Sequence, residues 1–82
     1  MDHLINEFGI ITRWPKKPLD KEVVIKYLAE KIKSKISYTE KEINKIISIH
    51  HLFNDVALLR RELVSRNVLR REDDGSKYWK IL

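Results

Sequence analysis

The stretch TEKEINKIISIHHLFNDVALLRRELV, residues 39–64, decides the fold. Its opening, Thr39-Glu40-Lys41-Glu42, sets a threonine three residues before a glutamate. That spacing is a capping box: the Thr39 side chain serves the amide of Glu42, and the Glu42 carboxylate reaches back to the amide of Thr39. A helix should start here, bury Ile43, Ile46, Ile47 and His50, and end near His50–Leu52. Asn54 or Asp55 then has the side chain to cap a further helix. On a wheel at about 100° per residue, Leu52, Val56, Leu59 and Leu63 share one face, with Asn54, Leu58, Arg61, Glu62 and Ser65 opposite. Two helices joined by only a few residues have the spacing of a helix-turn-helix.

Working outward, Asn67 suits a left-handed stop to the second of these helices. Two β-prone runs follow, Val68-Leu69-Arg70-Arg71-Glu72 and Lys77-Tyr78-Trp79-Lys80-Ile81. Asp73-Asp74-Gly75-Ser76 between them has the residue types of a tight turn, so the tail reads as a hairpin. Upstream, Ile36-Ser37-Tyr38 is β-prone but too brief to stand alone. Before it, Asp20 is placed to cap a first helix that runs to about Lys33–Lys35. Val24, Ile25, Leu28 and Ile32 lie on its apolar face, with Tyr27 flanking. Pro15 and Pro18 should keep residues 14–19 out of that helix. Residues 1–12 read as extended, with a bend at Phe8-Gly9 and with Leu4, Ile5, Phe8, Ile10 and Ile11 available for packing. The expected fold is mainly α with a small β-hairpin (α+β): a winged helix-turn-helix with a three-helix core and a C-terminal wing. Residues 1–19 form its extended N-terminal segment and 20–82 the domain. A three-helix bundle with an unrelated tail is the competing topology.

Composition limits the functions open to such a chain. Its 82 residues suit one domain. It has no cysteine, which excludes disulfides and thiolate metal sites and agrees with a reducing, cytoplasmic setting. Apolar runs are only a few residues long, too short to span a bilayer. Met1-Asp2-His3 puts no basic stretch ahead of an apolar run, so no secretory signal is expected. The net charge is +5 and uneven. Residues 13–35 and 60–80 are both basic, whereas 39–55 is slightly acidic. Two basic zones suit a polyanion partner, although surplus lysines also serve plain solubility.

Several blocks resemble the domain-of-unknown-function family 2087. They are Tyr38-Thr39-Glu40-Lys41-Glu42-Ile43-Asn44, then Asp55, Leu59-Arg60-Arg61-Glu62-Leu63-Val64 and Arg71, and finally Gly75-Ser76-Lys77-Tyr78-Trp79. Arg13-Trp14-Pro15-Lys16-Lys17 is similar to the family's basic, proline-bearing lead-in. The likeness covers about residues 10 to 80. It implies a winged-helix domain of the kind found beside DNA-binding domains in bacterial transcriptional regulators, and also found alone.

The candidate site residues follow from the wheel and the strand alternation. Arg61 points to solvent with Asn54 and Ser65, where a recognition helix would contact base edges. Arg60 sits at the margin of the apolar arc beside Val64. Its guanidinium should then need a carboxylate, with Glu40, Glu42 and Asp55 as candidates for a structural salt bridge. Arg70, Arg71, Lys77 and Lys80 are placed to grip phosphates. Of Tyr78 and Trp79, which face opposite ways along a strand, one should be core and the other partly exposed.

Other features point away from chemistry. His50 and His51, adjacent on a helix, and the lone His3 complete no tetrahedral metal set. The pairs Glu40/Glu42 and Asp73/Asp74 read as a cap and a turn rather than acid–base catalysts. The expectation is therefore a non-enzyme with no cofactor, no metal and no membrane. Its first function is a transcriptional regulator binding double-stranded DNA, with a homodimer doubling the grip. The alternative is a winged helix that binds a partner protein or dimerises through Leu58 and the apolar N-terminal segment.

Overall fold

The computed structural model describes residues 4–81. The expectations placed on Met1, Asp2 and His3 lie outside the described residues. Three helices and a small antiparallel sheet make an α+β fold: α1 Pro18–Glu30, β1 Ser37–Tyr38, α2 Glu40–Ser48, α3 Val56–Ser65, β2 Leu69–Arg71 and β3 Tyr78–Lys80. The sheet has strand order β1-β3-β2. The expected hairpin is thus extended by a third strand, because Ser37 and Tyr38 pair with Trp79 and Tyr78.

The caps of α2 and α3 are those the side chains dictate. Thr39 accepts from the Glu42 amide at 3.1 Å, and Glu42 accepts from the Thr39 amide at 2.8 Å. Asp55, not Asn54, caps α3 by accepting from the Leu58 amide at 3.2 Å. Asn54 has φ 52 and Asn67 φ 64, both in the left-handed region that asparagine tolerates best after glycine.

α1 departs from expectation at both ends. It begins at Pro18, with Lys17 as an N-cap that makes no side-chain hydrogen bond. Proline is at home there, since its missing N–H is one of the unpaired donors of the first turn anyway. Asp20 is therefore inside the first turn, where the helix dipole favours a carboxylate, and residues 14–19 are not all outside the helix. The helix stops at Glu30 because the Lys31 and Ile32 amides turn back to the Leu28 and Ala29 carbonyls.

α2 also ends early, at Ser48. The His50 and His51 rings, through Nδ1, donate at 2.7 Å to the Ile46 and Ile47 carbonyls of the last turn, and the Ile47 carbonyl also accepts from the His50 amide. The link to α3 is then residues 49–55, longer than the few residues expected. It is braced by the N-terminal segment: the Ile11 amide donates to the His50 carbonyl and the Leu52 amide to the Ile11 carbonyl. Leu52 lies in this link and is 62% exposed, so the α3 wheel does not extend back to it.

The core gathers Val24, Ile25, Leu28 and Ile32, then Ile43 and Ile47 of α2, Leu59 and Leu63 of α3, and Leu69 and Tyr78 of the sheet. Leu4 and Ile11 complete it from the N-terminal segment, which turns at Gly9 (φ 76) and bridges Ile5 to Ile11. Burying each such side chain contributes about 1.5–3 kcal/mol. Phe8, at the tip of that turn, is exposed instead of packed.

Candidate functional site

α3 presents two neighbouring rows toward the hairpin, because residues four apart stack on one helical side. Arg61 and Ser65 form an exposed row, and Arg60 and Val64 form a half-buried one. β2 brings Arg71 to face them. Arg71, Tyr78 and Tyr38 are Cα partners across the three strands, so they share the sheet's inner face. The result is an open groove of about 480 Å³ lined by Glu40, Arg60, Arg61, Val64, Ser65, Arg71 and Tyr78.

Two hydrogen bonds shape this groove. Tyr78 is buried in its floor and donates from its hydroxyl to Glu40 Oε1 at 2.9 Å. Arg60 donates from Nη1 to Asn44 Oδ1 at 2.5 Å. The expected Arg60 salt bridge with Glu42 or Asp55 is therefore not formed. Both carboxylates accept from amides at the N-termini of their own helices, and the α2 side chain that meets Arg60 is a neutral amide. Among the described residues the ion pair that does form is Arg66 with Glu62, at 2.8 Å along α3. Three guanidinium groups thus share the groove with one carboxylate, whose Oε1 already accepts a hydrogen bond. Such planar forks favour the oxygens of phosphates and carboxylates.

The other expected contacts are dispersed. Asn54 is exposed in the link before α3, and Lys77 is exposed beside the hairpin turn. Arg70 is also exposed, but on the outer face of the sheet opposite Trp79, away from Arg71. Lys80 is a correction. Its ammonium donates to the Ala29 and Ile32 carbonyls at 2.8 and 3.2 Å. It satisfies the C-terminal end of α1, where a cation also complements the helix dipole, and two of its three donors are committed there. Leu58 is half-buried on α3.

The turn that ends the hairpin is also built from charge. Asp74 accepts from the Ser76 amide at 2.9 Å. Donation from the Ser76 backbone, then from its side chain, holds the Asp74 carboxyl below its usual range.

Sequence reasoning missed Asn44 and Glu40 as organisers of the groove. The signal for Asn44 was its placement one turn along α2 from Glu40, which means nothing until α3 is packed against it. Among the described residues no three His, Cys, Asp or Glu side chains gather as metal ligands would. No described helix is long and apolar enough to cross a membrane.

This fold and groove define a small α+β domain with an arginine-lined face. The chain belongs to the family described as an uncharacterized protein conserved in bacteria (DUF2087), which it matches over residues 10–80. No curated protein and no solved structure matches it.

Proposed function

We propose that this chain is a non-catalytic winged-helix module of a bacterial, cytoplasmic transcriptional regulator that binds double-stranded DNA. The observation that carries the reading is the groove in which Arg60 and Arg61 of α3 meet Arg71 of β2. The element order and the strand order β1-β3-β2 support α3 as the reading helix and the β2–β3 hairpin as the wing. In this reading Arg61 and Ser65 approach base edges, while Arg71 holds a backbone phosphate beside them. Arg60, steadied by Asn44, supplies a fixed positive charge at the inner wall. Asn54 and Lys77 contact the backbone at the margins, and Lys80 has no part in binding.

Fluorescence anisotropy of a labelled duplex, titrated at several salt concentrations, tests this. Binding should weaken with salt by a logarithmic slope of about 0.9 per phosphate contacted. Arg61→Ala should weaken affinity by about 1–3 kcal/mol, and Arg71→Ala should reduce the slope by about 1. Failure of the parent chain to bind at low salt would refute the reading.

A second reading, a protein-interaction surface, is favoured by a different observation. Ile49 and Leu52 are 58% and 62% exposed in the link after α2. These residues carry it better than half-buried Leu58. Ile49→Glu with Leu52→Glu should dissociate any dimer seen by light scattering and leave the Arg61→Ala effect on DNA unchanged.

A further inference from the structure

The outer face of the sheet holds a second cavity, of about 520 Å³, lined by Ser34, Lys35, Ile36, Ser37, Trp79 and Lys80. Strand alternation creates it. Tyr78 enters the core, so Trp79 points the other way, with Ser37 and Arg70 as its Cα partners on either side. Trp79 is half-buried but is not among the side chains that pack on the core. The aromatic and cation–ring contacts among the described residues involve other rings, and the part of Trp79 that stays accessible lines the cavity.

The rim of this cavity is cationic. Lys35 is exposed on it and no carboxylate lines it, while Arg70, the exposed Cα partner of Trp79 on β2, adds a second cation beside the indole. Lys35 also has φ 64, a left-handed backbone that a residue with a Cβ rarely adopts. Strain of this kind gathers at ligand sites, where surrounding structure enforces it. Ser34 and Ser37 add hydroxyls within reach of a ligand's edge.

A partly exposed aromatic surface flanked by cations is complementary to a nucleobase joined to its phosphate. A duplex offers only base edges, because its base faces are stacked on one another. We propose that the Trp79 face binds an unpaired base of a single-stranded nucleic acid, stacked on the indole, with the flanking phosphates on Lys35 and Arg70. This surface lies on the opposite side of the sheet from the Arg61 and Arg71 groove, and it stands or falls separately from duplex binding.

The test uses the full chain. In a Trp14→Phe background Trp79 is the sole tryptophan, since the sequence has two. A short oligothymidylate should quench its fluorescence, at concentrations where a blunt duplex and thymidine monophosphate do not. By anisotropy, Trp79→Ala should weaken binding of the labelled oligonucleotide about tenfold, with Trp79→Phe weakening it less because a stacking face remains. Circular dichroism on both variants separates lost stacking from lost folding. Lys35→Gly relieves the left-handed backbone and removes the charge. It should keep or raise the melting temperature while lowering oligonucleotide affinity, whereas a purely structural lysine would lower the melting temperature. Unchanged affinity in Trp79→Phe and Lys35→Gly would overturn the proposal. So would equal quenching by the duplex, saturation by thymidine monophosphate at the same concentration as the oligonucleotide, or a self-associated species that Trp79→Ala dissociates.

Discussion

Lys80 and Arg61 are both cations near the groove-forming elements, and their surroundings give them opposite roles. Lys80 is drawn to two helix carbonyls, whereas Arg61 stays exposed on α3. Lys80→Met keeps the apolar stem and removes the donor. It should lower stability in urea by about 1 kcal/mol and leave the salt slope of duplex binding unaltered. A slope reduced by one contact with unchanged stability would return Lys80 to the binding surface. His51 is the other residue whose chemistry is internal. It is buried, donates to the Ile47 carbonyl, and through Nε2 accepts from the Asp55 amide at 2.9 Å. One ring thereby ties the end of α2 to the start of α3. His51→Ala should cost about 2–4 kcal/mol, from lost packing and an unpaired Asp55 amide, read as a shifted denaturation midpoint.

Among the elements, those fixed by neighbours in sequence were legible, and those fixed by distant partners were not. The Thr39–Glu42 box and the Asn67 stop act within a few residues of their targets, so spacing reveals them, and it narrows the α3 cap to Asn54 or Asp55. The alternation that separates Tyr78 from Trp79 is likewise local. Remote groups support the early ends of α1 and α2, which local turns close: Lys80 reaches a carbonyl 51 residues away, and the link after α2 pairs with Ile11. β1 became a strand only because β3 offered it an edge. The Arg60 partner was misjudged for a related reason, since the nearest carboxylates were already committed to their helix amides.

The hairpin turn gives a pH test at this scale. Asp74 has a lowered folded-state pKa, so its contribution is present above the ordinary value of 3.8 and disappears as pH falls through the folded value. Asp74→Ala should therefore be less stable than the parent at neutral pH. The gap, measured by thermal melts, should narrow once the pH drops below 3.8.

At the scale of the molecule, charge and apolar exposure are segregated. Arginines converge where α3 meets the hairpin, exposed Ile49 and Leu52 sit in the link after α2, and Trp79 faces outward from the sheet. The arginine groove is a modest contact area by itself, so duplex affinity should rise with a second copy on an adjacent half-site. The candidate groove itself was only partly legible. Arg61, Ser65 and Arg71 were identifiable from the wheel and strand patterns. Their meeting with Arg60, over a floor made by Tyr78 and Glu40, required the packed structure.

The most direct test of the central claim is an amide chemical-shift map of the labelled protein as a short duplex is added at low salt. The account predicts that the largest shifts fall on Arg60, Arg61, Ser65 and Arg71, with Ile49, Leu52 and the end of α1 near Lys80 little changed. Shifts centred on Ile49 and Leu52, or none at any residue of α3, would contradict it.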